Sequence, residues 1–107
     1  MVTLYKFESE EIRVTIDARF EGNVLMIDGY DIGKTVEAYW GDSDYEYSLT
    51  IPPESVEALY KLLDISSGEQ ETLLNELARR YCTNSCFSDI RQLLDDNKIS
   101  CEGFSWA

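Results

Sequence analysis

The chain has 107 residues, 44% of them hydrophobic, and 9 basic against 21 acidic residues give it a net charge of −12. That length fits one domain over residues 1–107 with a modest core, and the hydrophobic content is too high for a disordered acidic chain. The acidity opposes binding to nucleic acid or anionic membranes, and the lack of any histidine removes the commonest general base and most zinc sites.

Residues 2–7 read as a first strand through Val2, Leu4, Tyr5 and Phe7, with no clear choice of inner face. A polar turn at Glu8-Ser9-Glu10 follows. Residues 11–21 alternate most cleanly: Ile12, Val14, Ile16, Ala18 and Phe20 interleave with Glu11, Arg13, Thr15, Asp17, Arg19 and Glu21. This period of two predicts a strand with one wet face. Gly22-Asn23 then suits a two-residue hairpin loop. That loop pairs Glu21 with Val24, Phe20 with Leu25, Arg19 with Met26 and Ala18 with Ile27, so the apolar partners meet on one face. Val24 and Met26 fall on the other, which makes that face a candidate contact or oligomerisation surface. Asp28-Gly29 is expected to end the strand.

Residues 31–40 read as a short helix or turn capped by Asp31, with Ile32, Val36, Tyr39 and Trp40 along one side; a loop or irregular strand is the alternative. Gly41-Asp42-Ser43 is a turn. Residues 45–51 form a strand with Tyr45, Tyr47, Leu49 and Ile51 facing the core, and Asp44, Glu46, Ser48 and Thr50 facing away. The acidic turn between the aromatic pairs Tyr39-Trp40 and Tyr45…Tyr47 is the pivot between a strand-rich first half and a helix-rich second half.

Pro52-Pro53-Glu54 opens the first of about three helices spanning residues 53–97. Its stripe is Val56, Leu59, Tyr60, Leu62 and Leu63. Ser66 with Glu69, or Ser67 with Gln70, has capping-box spacing for the second helix, which carries Leu73, Leu74, Leu77, Ala78 and Tyr81 and ends near Arg79-Arg80. Cys86, Phe87, Ile90, Leu93 and Leu94 mark the third. The tail looks extended, with Ile99 and Cys101 odd and Phe104 and Trp106 even, and Gly103 placed for a bulge. Trp106 is expected in the core, held by a short C-terminal strand. The fold class is therefore α+β: a mainly antiparallel four- to five-stranded sheet, mostly from residues 2–51, covered by the helices.

Asp31-Ile32-Gly33, Val36-Glu37, Gly41-Asp42-Ser43-Asp44-Tyr45-Glu46-Tyr47, Ile51-Pro52 and Ile99…Phe104-Ser105-Trp106 together resemble a group of small uncharacterised bacterial proteins. The resemblance implies a bacterial cytoplasmic setting and no particular activity. In size and acidity the chain is also similar to immunity proteins that neutralise bacterial toxins. A cytoplasmic setting agrees with the three cysteines, which read as free thiols where no secretory signal precedes them, and with the want of any run near the ~18 apolar residues of a membrane helix.

Asp42, Asp44 and Glu46 repel one another unless water, a cation or a basic partner relieves them. A calcium loop counted from Asp42 fails, because Tyr47 and Pro53 stand where glycine and glutamate are required. Cys82, Cys86 and Cys101 lack knuckle spacing for zinc. Cys86 near a helix start is either a reactive thiol or, more simply, a small buried residue. No phosphate loop or nucleophile elbow is present, and no cofactor is expected. The leading functional expectation is a non-enzymatic binding protein that offers Trp40, Asp42, Asp44 and Glu46 to a basic protein partner, in the manner of an immunity protein or inhibitor. The alternatives are a small metal-assisted or carboxylate-based enzyme using Asp42, Asp44 and Glu46, and a structural module using the Val24/Met26 face.

Overall fold

The computed structural model describes residues 1–33 and 44–106. Five antiparallel strands, β1 (Val2–Glu8), β2 (Ile12–Glu21), β3 (Val24–Gly33), β4 (Asp44–Ile51) and β5 (Glu102–Trp106), form one sheet in the order β1-β2-β3-β4-β5. Three helices, α1 (Pro53–Leu62), α2 (Gln70–Arg80) and α3 (Cys86–Asp96), lie between β4 and β5 in the chain. The α+β architecture is the one expected. Among the described residues, no helix is long and apolar enough to cross a membrane.

The helices cover one face of the sheet. Leu4, Ile16, Ala18, Leu25, Ile27, Leu49 and Ile51 from the strands meet Val56, Leu59, Tyr60, Leu73, Leu74, Leu77, Cys86, Ile90 and Leu94 from the helices, all buried. α2 packs over β1 and β2, and α1 over β3. α3 reaches β4 through Phe87, which meets the Tyr47 ring edge-on at 4.8 Å. Among the described residues, the other face of the sheet carries no helix.

The β2–β3 register is the one deduced from the Gly22-Asn23 loop, from Glu21↔Val24 through Ala18↔Ile27. Gly22 takes a positive φ of 60°, as a tight hairpin requires. The ambiguous facing of the first strand has a cause: the β1–β2 register shifts between Thr3 and Tyr5. A bulge there leaves Leu4 as the extra residue, and it is buried in the core.

Four expectations need correction. β3 does not end at Asp28-Gly29 but runs to Gly33, so Asp31–Gly33 belong to a strand and not to a helix or turn; residues 34–40 of that expected element lie outside the described residues. The strand passes through Gly29 because Tyr47, directly opposite, fills the space: a Cβ on Gly29 would fall inside the Tyr47 ring. The capping boxes do not form, and α2 has no side-chain cap. Ser67 instead donates to Glu57 on α1 at 2.7 Å, and Gln70 Nε2 donates to the Gly22 carbonyl at 2.8 Å; tertiary partners outcompete the local cap. Gly103 is no bulge, since it pairs regularly with Leu49. The change of parity arises because Ile99 precedes β5 and turns into the core from the end of α3. The expected burial of the Trp106 side chain lies outside the described part of the structure.

Candidate functional site

Of the four residues expected to form the site, Trp40 and Asp42 lie outside the described residues. Asp44 opens β4 opposite Ile32, and Glu46 follows opposite Tyr30. Strand alternation puts Glu46 on the face away from the described helices, as the sequence suggests, and β5 adds Trp106 as its next neighbour in register.

The register arranges this open face in rows across the sheet. One row is Asp17–Asp28–Ser48–Phe104, and the next is Lys6–Thr15–Tyr30–Glu46. A third brings Arg19 beside Met26 and Thr50. Thr15, Asp17, Asp28, Tyr30, Glu46 and Ser48 surround a concavity of about 400 Å³, with Gly29 and Tyr47 also bordering it. Phe104, the register partner of Ser48 on β5, is 59% exposed.

Two carboxylates directly opposite each other, Asp17 and Asp28, destabilise a strand pair unless relieved. Arg19 relieves one of them. It forms an ion pair with Asp28, reaches Glu21 at 3.2 Å and lies 3.6 Å from the Met26 sulfur. Asp17 and Glu46 make no salt bridge among the described residues. The concavity therefore keeps a net negative charge at its lining. The Val24/Met26 face raised as a contact surface is this same face, and both residues are half-buried. Arg79 and Arg80 do not offer a basic counterpart elsewhere: both are bound to Glu76, at 2.5 and 2.6 Å.

Beneath the sheet, on the helix side, a second polar pair is half-buried. Tyr47 donates its hydroxyl to Asp31 Oδ1 at 2.9 Å. Burial pushes the Asp31 carboxyl above its ordinary value, and the Tyr47 hydrogen bond opposes that rise. Burial also pushes the Tyr47 hydroxyl up, aided by the Asp31 charge. Cys86 is fully buried as the first residue of α3, and burial lifts its thiol to about 11. It therefore behaves as a small core residue rather than a reactive thiol. Cys82 is exposed and Cys101 half-buried, and all three are free. Among the described residues, no group of three or more cysteine or acidic side chains is placed to hold a metal ion.

Sequence reasoning missed Thr15, Asp17, Asp28 and Tyr30 as neighbours of Glu46. The signal was available: extending the Gly22-Asn23 hairpin register past Ala18↔Ile27 gives Asp17↔Asp28 and Thr15↔Tyr30. It was lost by ending β3 at Gly29, where glycine ordinarily weakens a strand. No protein-family model, curated protein or solved structure matches this chain.

Proposed function

We propose that the protein is a non-enzymatic binding protein whose open sheet face receives a basic protein partner. The observation that carries this reading is the concavity around Asp17, Asp28, Tyr30, Glu46 and Ser48, on a face that no described helix covers. Two of its carboxylates, Asp17 and Glu46, lack an ion pair among the described residues. A lysine or arginine from a partner supplies the missing charge, while Tyr30 and Phe104 offer aromatic surface of the kind that anchors interfaces. The net charge of −12 steers a cationic protein toward this face and raises its association rate. An immunity or inhibitor role is the concrete form of the proposal. The setting it implies is the bacterial cytoplasm suggested by the resemblance in sequence.

The test compares three baits against a bacterial lysate: wild type, Asp17→Asn/Glu46→Gln, and Asp42→Asn/Asp44→Asn. A basic protein held by wild type and released by the Asp17/Glu46 variant is the expected result, with retention falling as salt rises. Loss confined to the Asp42/Asp44 variant would move the interface to those two residues. Equal retention by all three baits would contradict the proposal.

A further inference from the structure

A second cleft, of about 200 Å³, opens at the seam between α3 and the β4–β5 edge, lined by Tyr45, Tyr47, Phe87, Arg91, Gly103 and Phe104. Its aromatic wall is ordered: the Tyr45 and Tyr47 rings lie 5.5 Å apart at 40°, and Phe87 stands edge-on to Tyr47. Arg91 extends from α3 to β5. Its guanidinium lies so close to Gly103 that a Cβ there would collide with Nη1.

Among the described basic side chains, Lys6, Arg19, Arg79 and Arg80 each lie against a carboxylate, whereas Arg13, Lys61, Arg91 and Lys98 form no ion pair. What sets Arg91 apart is its place on the cleft. Arg91 makes no ion pair among the described residues, although Asp95 follows one turn later on the same helix. Its charge is directed instead to the mouth of an aromatic cleft, where a planar fork of N–H donors is available.

We propose that this cleft binds a small aromatic carboxylate. The ring packs against Tyr45, Tyr47 and Phe87 in the tilted and edge-on geometries that aromatic groups favour. The carboxylate accepts two parallel hydrogen bonds from the Arg91 guanidinium. The volume sets the size, since sites for drug-sized ligands run from about 300 Å³ upward, so this one admits a single ring with its acid group. The charge sets the class: one arginine balances a monocarboxylate, and the surrounding excess of acidic side chains disfavours a phosphate dianion. The cleft shares Tyr47 with the border of the open-face concavity and Phe104 with that face, but Phe87 and Arg91 belong to it alone, and its ligand does not depend on the binding function proposed above.

The experiment is an NMR titration of the ¹⁵N-labelled protein with benzoate, with benzyl alcohol and acetate as controls. Saturable shifts at Phe87, Arg91 and Gly103 are expected with benzoate. Benzyl alcohol keeps the ring and loses the charge, and acetate does the reverse; each is expected to bind at least about tenfold more weakly. Arg91→Gln is expected to weaken benzoate by about tenfold or more, and Arg91→Lys, which keeps the charge without the fork, to weaken it as well. Arg91 is exposed on α3, so both variants should fold, and their unperturbed spectra serve as the check. Equal affinity for benzoate and benzyl alcohol, no loss in Arg91→Gln, or no saturable shift at these residues would overturn the proposal.

Discussion

Asp31 and Tyr47 show how a single pair connects sequence, packing and pH response. The Tyr47 ring lies across Gly29, contacts Phe87 and donates to Asp31. Burial places the folded-state pKa of Asp31 above its ordinary value of 3.8. A carboxyl raised on folding contributes stability that is full below the unfolded value and is lost as pH rises through the folded one. Asp31→Asn keeps an acceptor for the Tyr47 hydroxyl and removes the buried charge. It is therefore expected to flatten the decline in stability from pH 3.8 upward and to be at least as stable as wild type at pH 7. Tyr47→Phe removes the donor that lowers the Asp31 pKa, so it should steepen the decline and cost about 1–3 kcal/mol at pH 7. Urea unfolding of the three proteins across pH checks both signs; a less stable Asp31→Asn at pH 7 would mean the carboxylate is stabilised in the fold.

At the scale of elements, α1 and α3 end by one device. Asp64 and Lys98 adopt positive φ, 59° and 57°. The following residues then fold back, Ile65 donating to the Tyr60 carbonyl and Ile99 to the Leu94 carbonyl, both at 2.9 Å. Ile65 packs against the core and Ile99 is buried. This is a Schellman-type ending with its apolar contact, in which glycine usually takes the left-handed position. Replacing Asp64 or Lys98 by glycine is expected to raise stability by about 0.5–1 kcal/mol each, because the left-handed penalty of a side chain outweighs the entropy cost of glycine. Denaturant midpoints measure it, and a loss of stability in both would refute the assignment of strain. The tail pattern suggested a bulge at Gly103 because glycine sits where the alternation changes parity; the change comes instead from Ile99 closing α3. Other elements were legible because local and global signals agree in them. The Ile12–Phe20 alternation and the Gly22-Asn23 loop specify the β2–β3 register, and the Val56–Leu63 stripe after Pro52-Pro53 specifies α1. Where a distant partner decides, as with Tyr47 at Gly29 or Gly22 for Gln70, local pattern is silent. The same limit governs the site. Glu46 was identifiable from its own strand, whereas Asp17, Asp28 and Tyr30 join it only through the continued β3 register.

At the scale of the molecule, the sheet has one face committed to the core and one that the described helices leave open. The open face gathers Asp17, Asp28 and Glu46 about a concavity, with Arg19 balancing part of that charge and Phe104 exposed beside it. Acidic residues also occur on the helices, among them Glu54, Glu57, Glu71, Asp95 and Asp96. Uniform acidity alone would attract a polycation equally to both sides. A shaped recognition surface would not. The most direct measurement is therefore a ¹H–¹⁵N NMR titration with hexa-arginine at low salt, on wild type and on Asp17→Asn/Glu46→Gln. If the open face is the recognition surface, shifts concentrate at Thr15, Asp17, Tyr30, Glu46 and Ser48 and shrink in the variant. Shifts spread equally over the helical acids, with the variant titrating like wild type, would contradict it.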